Sequence, residues 1–347
     1  MRILFIAPSY MGLSLPIRQI MEDLGNSVYF MEDITPPFYP YFRREGLQRI
    51  LYNIMYSFRN IDKKYIKFWD ELIDKHNLLE KKFDLLFCIN GTSLHPYFFN
   101  KITEVNPKIR KVLYIWDTNK YYNFEWYLKY FEKAYTFDQF DAINLNIKYL
   151  PFYYVMNDNV EEVASFDAFC IGSLHDGRLS ILDKIASQMD NMNLNYLFRV
   201  VYRPIKNTLK NRVIYFIKKL IDNPDAIIER EYKMGLRKHR FLTTESVPVE
   251  DYNKLMAKSK VIIDTDRQSQ AGLTPRLVWA IASGKSVVTT NSCILESKYC
   301  PKDRVWVIDR ERPIIKPAMF KEYQSNDDLD LNISQLEIKH WITNFLE

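Results

Sequence analysis

A chain of 347 residues is long enough for two domains of ordinary size, and its 47% hydrophobic and 26% charged content are those of a soluble globular protein. No apolar run reaches the roughly 18–20 residues that span a bilayer, and the chain enters a strand at once, so we expect a cytoplasmic protein without a signal peptide. The four cysteines show no metal-ligand spacing, and a net charge of +5 without a base-reading motif argues against nucleic acid as a partner.

The first half of the chain alternates apolar strands with helices, which predicts a parallel sheet covered on both faces. The predicted strands are Arg2–Ala7, Ser27–Met31, Asp84–Ile89, Lys111–Trp116 and Asp141–Leu145, and the first helix is Leu15–Leu24. The polar, acidic segment Val155–Ser165 then interrupts this alternation. A first domain is therefore predicted over residues 1–155.

A second series of strands and helices follows that segment and predicts a second domain over residues 166–332. Its predicted strands are Ala168–Ile171, Leu194–Val201, Ile227–Glu229, Lys260–Asp264, Ser286–Thr290 and Val305–Ile308. The final predicted helix, Ile333–Leu346, carries an apolar stripe, so residues 333–347 are expected to pack against one of the domains.

Residues 264–290 combine a strand end, a glycine turn, a capped helix and a second strand. Thr274 offers its hydroxyl as an N-cap, and Pro275 occupies the first helical position, where its missing N–H costs nothing. In a parallel sheet this unit places the start of the helix at the carboxyl edge, where free N–H groups and the helix dipole favour phosphate. Gly272 permits close approach of the backbone and Arg276 adds a forked cation, so we predict a phosphorylated ligand.

Two runs in this block, Gln270–Arg276 (QAGLTPR) and Thr289–Asn291 (TTN), resemble the donor-binding segment of bacterial GT-B glycosyltransferases, in particular the CgeB-like and lipopolysaccharide-core groups. Other landmarks occur in the same order: Asp117 in YIWDT, Phe137–Asp138 in YTFDQFD, Gly172–Ser173 and Arg178 in IGSLHDGR, and VWVIDR at 305–310. The resemblance spans most of the chain, although only 264–291 is specific. It implies an α/β GT-B fold, with two Rossmann-like domains facing a central cleft and the C-terminal helix crossing back to the N-terminal domain.

The resemblance also implies which residues meet the substrates, with the acceptor on the first domain and a nucleotide-sugar donor on the second. The donor-binding candidates are Gly172, Ser173, Arg178, Arg203, Ser246, Val247, Asp264, Gln270, Gly272, Leu273, Thr274 and Arg276, and the acceptor-side loop holds Gly12 and Ser14. For the arginines Arg178 and Arg203 the alternative is an ordinary surface role. This chain departs from many retaining members of the fold, which carry two glutamates where Ala271 and Trp279 stand here.

An inverting transfer needs a general base in the first domain, and three residues at predicted strand ends or loops are candidates. They are Asp117, Asp138 and His95, and the alternative for Asp117 is a helix cap. The triplet Asp264–Asp266 (DTD) matches a metal-binding pattern of a different glycosyltransferase fold. We expect no metal, because Arg276 and the helix dipole already offset the diphosphate charge.

Two basic stretches raise the alternative of contact with an anionic membrane. Between Phe38 and Trp69, apolar residues at helical spacing (Leu47, Ile50, Leu51, Ile54, Met55 and Phe58) lie among arginines and lysines, and from Phe198 to Lys219 every charged residue is basic. The simpler interpretation is that the apolar stripe packs on the sheet and the basic residues are solvated.

The sequence therefore predicts a GT-B glycosyltransferase that acts on a bacterial surface polysaccharide or lipopolysaccharide. Its partners would be a nucleotide-sugar donor, a glycan or lipid-linked glycan acceptor and an anionic membrane surface, with peripheral contact at the inner face of the plasma membrane. Two other functions stay open: a nucleotide-sugar epimerase of the same fold, and a non-catalytic scaffold that binds the nucleotide-sugar.

Overall fold

A computed structural model describes residues 1–34, 36, 60–119, 124–155, 164–175, 177–222, 224–267, 270–320 and 331–347. The chain divides into two compact units. The first comprises Met1–Tyr153 and Leu336–Glu347, and the second comprises Tyr154–Gln335. The basic, apolar stripe predicted over residues 47–58 lies outside the described residues. Within the described part of the chain, no helix is long and apolar enough to cross a membrane.

The first unit is built on a six-stranded sheet of order β2-β1-β3-β4-β5-β6, in which all pairs are parallel. Its strands are β1 (Arg2–Ala7), β2 (Ser27–Glu32), β3 (Leu85–Ile89), β4 (Arg110–Ile115), β5 (Lys133–Thr136) and β6 (Lys148–Tyr149). The described helices are α1 (Ser14–Asp23), α2 (Ile61–His76), α3 (Pro96–Val105), α4 (Glu125–Leu128) and α5 (Gln139–Asn144). Every residue of β3 is buried, as expected of a parallel strand covered on both faces.

The second unit repeats this plan with a parallel sheet of order β12-β11-β10-β7-β8-β9. Its strands are β7 (Phe166–Ser173), β8 (Tyr196–Val201), β9 (Leu242–Thr243), β10 (Ser259–Asp264), β11 (Ser286–Thr289) and β12 (Val305–Val307). The described helices are α6 (Arg178–Asn191), α7 (Leu209–Ile221), α8 (Pro224–Lys233), α9 (Val249–Ala257), α10 (Pro275–Ala282) and α11 (Leu331–Ser334).

The last helix, α12 (Ile338–Leu346), belongs to the first unit. The indole Nε1 of Trp341 donates to the carbonyl oxygen of Pro151 at 3.0 Å, and Phe345 stacks on Phe87 of β3 with 4.6 Å between ring centroids. Trp341 and Phe345 are fully buried. The predicted fold class is confirmed: two parallel α/β units, with the C-terminal helix returning to the first of them.

Two predicted strands are wrong, because Asp141–Leu145 and Ile227–Glu229 lie mostly or wholly in the helices α5 and α8. The carboxylate of Asp138 caps α5 by accepting from the backbone N–H of Phe140 and of Asp141, so helix formation begins just before the apolar run. The α8 run has Pro224 at its first position, which is preorganised for a helix. The predicted final helix is also broken into α11 and α12.

Candidate functional site

The site is built at the carboxyl edge of the second sheet, where four parallel strands end side by side. Strand β10 lies between β7 and β11, and β12 flanks β11, so the segments that follow all four strands leave the sheet at one edge. Three of these segments are the landmark runs IGSLHDGR, DTD and TTN, and the fourth leads to Arg310. Edges of this kind are where ligands bind in open α/β sheets.

Asp264 at the end of β10 is fully buried and organises the edge. Its carboxylate accepts from the Oγ1 of Thr274 at 3.1 Å, from the Nε of Arg276 at 3.0 Å and from the Oγ1 of Thr289 at 3.0 Å. Three donors from two segments, the start of α10 and the end of β11, therefore converge on one anion. Asp264 serves here as an internal anchor that orients the predicted phosphate-binding residues.

The loop that carries Gly272 is fixed by the run that follows β11. The Nδ2 of Asn291 donates to the carbonyl oxygen of Gly272 at 3.2 Å, and Asn291 is buried. Thr274 caps α10, accepting from the backbone N–H of Leu277 at 3.3 Å, as predicted from its position before Pro275. The QAGLTPR and TTN runs are thus physically connected, because the second holds the first in place at the start of the helix.

Arg178, the first residue of α6, is buried at this edge with an exposed fraction of 2%. Its Nε donates to the Oγ1 of Thr265 at 2.6 Å and its Nη1 to the carbonyl oxygen of Ser173 at 2.7 Å, while Nη2 donates to the carbonyl oxygen of Thr265. Burial, together with the neighbouring charge of Arg276, lowers the pKa of Arg178 to about 10. Arg178 therefore acts as a fixed cation held by protein acceptors.

Arg276 reaches the same point from α10. Its Nη1 donates to the carbonyl oxygen of Ile171 at 2.9 Å, beside the ion pair with Asp264. Burial alone would lower the pKa of Arg276, but the carboxylate of Asp264 outweighs this and raises it. A Cβ atom built on Gly172 would lie 2.1 Å from the Nη1 of Arg178 and 2.7 Å from the Nη1 of Arg276. Two guanidinium groups thus flank Gly172, and any side chain at this position would have to displace them.

Further charged residues at this edge were not singled out by the sequence analysis. His175 is buried, and its pKa lies well below the ordinary value of 6.5 because of burial and because of four surrounding arginines. These arginines are Arg178, Arg267, Arg276 and Arg310. Arg310 also pairs with Asp266 at 3.3 Å. His175, Arg267 and Arg310 each follow the end of a strand and lie within or next to a landmark run. That position is the sequence signal by which they could have been identified.

Positive charge is in excess at this edge among the residues that the structure describes. Of the four arginines around His175, Arg276 and Arg310 pair with the buried carboxylates of Asp264 and Asp266. Burial raises the pKa of Asp266, as does the charge of Asp264. A water-poor site with surplus cations is suited to an anion that carries more than one charge.

The remaining donor-side candidates lie on loops of the same unit. Arg203 is exposed in the segment after β8, and Gln270 is half-buried, its backbone N–H donating to the carbonyl oxygen of Arg267 at 2.9 Å. Ser246 is exposed and Val247 is buried just before α9. Leu273 is buried beneath the glycine turn.

The catalytic candidates lie on the first unit, and they differ in whether their side chains cap a helix. Asp117 is half-buried after β4 and accepts from the Nδ2 of Asn90 at 2.7 Å. Asp138 caps α5, and the Nδ1 of His95 caps α3 by accepting from the backbone N–H of Tyr97 at 3.3 Å. Two of the three candidates, Asp138 and His95, are therefore helix caps.

The acceptor-side loop follows β1. Gly12 has a φ of +74° in the single turn Tyr10–Gly12, and Ser14 is buried at the start of α1. A buried carboxylate missed by the sequence analysis, Asp33, follows β2 and accepts from the backbone N–H of Thr92 at 2.7 Å. Burial raises the pKa of Asp33.

Among the described residues, no group of three or more His, Cys, Asp or Glu side chains could hold a metal ion. The DTD carboxylates are engaged instead by arginine and threonine side chains. The expectation that the diphosphate is neutralised without a metal stays a prediction.

Comparison with known proteins supports the architecture. The chain is similar to an α,α-trehalose-phosphate synthase (UDP-forming) from Burkholderia vietnamiensis, with a TM-score of 0.57 and 10% identity over 100% of this chain and 99% of that one. Weaker likenesses include MurG from Acinetobacter baumannii (TM-score 0.40, 10% identity, 100% and 95% covered) and a protein described as a UDP-N-acetylglucosamine 2-epimerase from Listeria monocytogenes (TM-score 0.44, 12% identity, 89% and 84% covered).

Neither a family model nor a curated protein matches the chain. At 10% identity the likeness to the trehalose-phosphate synthase concerns the fold alone, and it agrees with the topology of the two sheets. The chain has the two-unit GT-B architecture.

Proposed function

We propose that this protein is a metal-independent glycosyltransferase that moves a sugar from a nucleotide-sugar donor to a growing bacterial surface polysaccharide or lipopolysaccharide. One observation carries the proposal: the carboxyl edge of the second sheet joins a helix start with two guanidinium groups around Gly172. A helix start, whose dipole favours negative charge, combined with fixed cations is the chemistry that holds a diphosphate.

The donor would bind with its diphosphate over Gly172 and the Gly272 turn. In this arrangement Arg276 and the first turn of α10 contact the phosphate oxygens, and Arg178 contributes a fixed positive charge from below. Cleavage of the sugar–phosphate bond leaves an extra negative charge on the departing nucleotide. Hydrogen-bond donors already oriented toward such a charge typically stabilise the transition state by a few kcal/mol each. The arginines at this edge would offset the charge of the departing nucleotide without a metal.

Asp117 is the candidate base that we carry forward, since Asp138 and His95 are occupied as helix caps. A carboxylate positioned by Asn90 could take the proton of an acceptor hydroxyl as that oxygen attacks the anomeric carbon. We therefore propose an inverting transfer, in keeping with Ala271 and Trp279 at the two glutamate positions of retaining relatives.

The acceptor half of the proposal follows from the resemblance of the QAGLTPR and TTN runs to lipopolysaccharide-core enzymes. We propose a glycan or lipid-linked glycan as the acceptor, met at the cytoplasmic face of the plasma membrane. The acceptor-side loop with Gly12 and Ser14 would then lie on the first unit.

The proposal is tested by incubating the protein with UDP-, GDP-, ADP-, dTDP- and CMP-sugars and a bacterial membrane extract as acceptor source. We expect release of one nucleotide together with sugar transfer to the extract, in buffer that contains EDTA. A changed sugar without any acceptor would instead show an epimerase. Binding without turnover would show a scaffold.

The role of Asp117 has a separate test. If Asp117 is the base, Asp117→Asn should lower turnover by a factor on the order of 10²–10⁴ while the donor dissociation constant stays the same. Asp138→Ala, which removes a helix cap, serves as the control and should act mainly on stability. Normal turnover in the Asp117 variant would remove it from the mechanism.

A further inference from the structure

Helix α7 of the second unit exposes a continuous apolar stripe. Its five exposed apolar residues are Leu209 (80% exposed), Val213 (51%), Phe216 (65%), Ile217 (54%) and Leu220 (86%). Their spacing of four, three, one and three residues places them on one face of the helix. Single exposed apolar residues are ordinary, but five on one face mark a surface that binds something apolar.

The opposite side of α7 is well anchored, so the stripe is a feature of a folded helix. Thr208 caps the helix by accepting from the backbone N–H of Asn211, and the phenol of Tyr215 donates to Glu231 on α8 at 2.6 Å. Near the end of the helix, Lys218 pairs with Asp222 at 3.3 Å. The bond between Tyr215 and Glu231 holds the side of α7 opposite the stripe against α8, and the other two contacts stabilise the ends of the helix.

Basic side chains border the stripe on both sides. At 100° per residue, Lys210 lies beside Ile217 on one border, and Arg212 and Lys219 lie along the other. All three are exposed, and no acidic residue occurs between Phe198 and Ile221. An apolar stripe bordered only by cations is the pattern of a helix that lies in the interface of an anionic membrane.

We propose that α7 is a membrane-docking surface, which inserts the stripe of Leu209, Val213, Phe216, Ile217 and Leu220 among the headgroups of a bilayer that contains anionic lipid. Lysine and arginine stems can lie along the apolar surface while their charges reach the lipid phosphates. The charge complementarity favours this occupant over an apolar protein groove, which would leave three border cations without anions. The inference stands on the surface of α7 alone and does not depend on sugar transfer.

The full chain can be tested by co-sedimentation with vesicles of phosphatidylcholine, with or without phosphatidylglycerol. We expect binding to the mixed vesicles that weakens as salt is added, and little binding to the neutral ones. The double variant Phe216→Ser with Leu220→Ser should bind about a hundredfold more weakly, since two large apolar side chains no longer leave water. The matched control, Ile143→Ser with Leu295→Ser, removes exposed apolar side chains elsewhere and should bind normally.

The contribution of charge is tested with Lys210→Gln, Arg212→Gln and Lys219→Gln together, which should also weaken binding by about a hundredfold. The control is Lys302→Gln, Arg312→Gln and Lys316→Gln, three exposed cations away from α7. Circular dichroism and nucleotide binding in solution should be the same for all variants, which separates this test from that of the proposed function.

Three results would overturn the proposal. The first is no binding to either vesicle, and the second is equal binding by the α7 variants and their controls. The third is a dimer in sedimentation equilibrium without lipid that the double variant converts to a monomer, because a second copy of the chain would then cover the stripe.

Discussion

At the scale of single residues, Asp264 has more partners than any other acid at the candidate site. It is buried and binds Thr274, Arg276 and Thr289. Asp264→Asn should lower the free energy of unfolding by about 3–5 kcal/mol, because it leaves a buried guanidinium without its counterion. Urea denaturation measures this change.

The matched control is another Arg–Asp pair, Arg2 with Asp84, whose side chains are 56% and 43% exposed. Asp84→Asn should lower the free energy of unfolding by only about 1 kcal/mol or less, because water screens an exposed pair. Equal losses in the two variants would show that Asp264 does not organise the site.

His175 makes the stability of the protein depend on pH. Its pKa in the folded protein is well below 6.5, chiefly because of burial and then because of the arginines around it. Below about pH 6.5 the unfolded chain therefore binds a proton at this residue that the folded chain does not, so stability falls as the pH is lowered.

Between pH 6.5 and the lowered pKa, this residue should lower the free energy of unfolding by up to about 1.4 kcal/mol for each unit by which the pH falls. Urea denaturation of the parent and of His175→Gln at several pH values measures it. The variant should lose this part of the slope, whereas His340→Gln, at an exposed position, should keep it. An unchanged slope in His175→Gln would contradict the assigned environment.

Sequence reasoning found part of this site. The cap at Thr274 and the position of Arg276 follow from local rules, because a polar N-cap before Pro275 predicts where a helix begins. The partnership of Asp264 with Thr289 and the crowding around His175 could not be predicted, because they depend on which strands lie side by side. Strand order is not a local property of the sequence.

At the scale of elements, α12 ties the end of the chain to the first sheet. Phe345 is buried among aromatic rings and stacks on Phe87 of β3. Phe345→Ala should lower the free energy of unfolding by about 3–5 kcal/mol through lost contacts and a cavity. Thermal or urea unfolding measures the loss.

The control for this prediction is Ile143→Ala on α5, whose side chain is 76% exposed. A surface truncation of this kind should change stability by about 0.5 kcal/mol or less. A similarly small effect of Phe345→Ala would mean that α12 is not part of the core of the first unit.

The pattern of apolar residues is sufficient to predict the long strands, but not the short elements. Long apolar runs such as β3 and β10 are buried on both faces and were predicted to be strands. Short runs of two or three β-branched residues, such as Ile227–Ile228, fit a helix face as well as a strand. In such runs a cap at Asp138 or a leading Pro224 decides the outcome. The strands β5 and β9 are too short to give a signal of their own.

At the scale of the whole molecule, two similar parallel sheets carry different chemistry at their carboxyl edges. The edge of the second sheet gathers arginines around Gly172, whereas the edge of the first holds the carboxylates Asp33 and Asp117. This division could be expected from the resemblance of the 264–291 block, which assigns the donor to the second unit. The fold follows from alternating elements, but the charge of each edge follows from a few residues beyond strand ends.

The edge around Gly172 is proposed to bind a nucleoside diphosphate without a metal. Isothermal titration of UDP, GDP, ADP and dTDP, and of CMP, into the protein in EDTA tests it directly. We predict saturable binding of one nucleotide. Gly172→Ala should weaken it at least about tenfold, because its Cβ displaces both guanidinium groups.

Gly177→Ala is the control, because a Cβ there meets nothing within 4 Å and a φ of +70° costs only backbone strain. It should therefore lower stability slightly and leave the dissociation constant unchanged. Absence of binding by any nucleotide in EDTA, or equal affinity of the parent and Gly172→Ala, would contradict the account of this site.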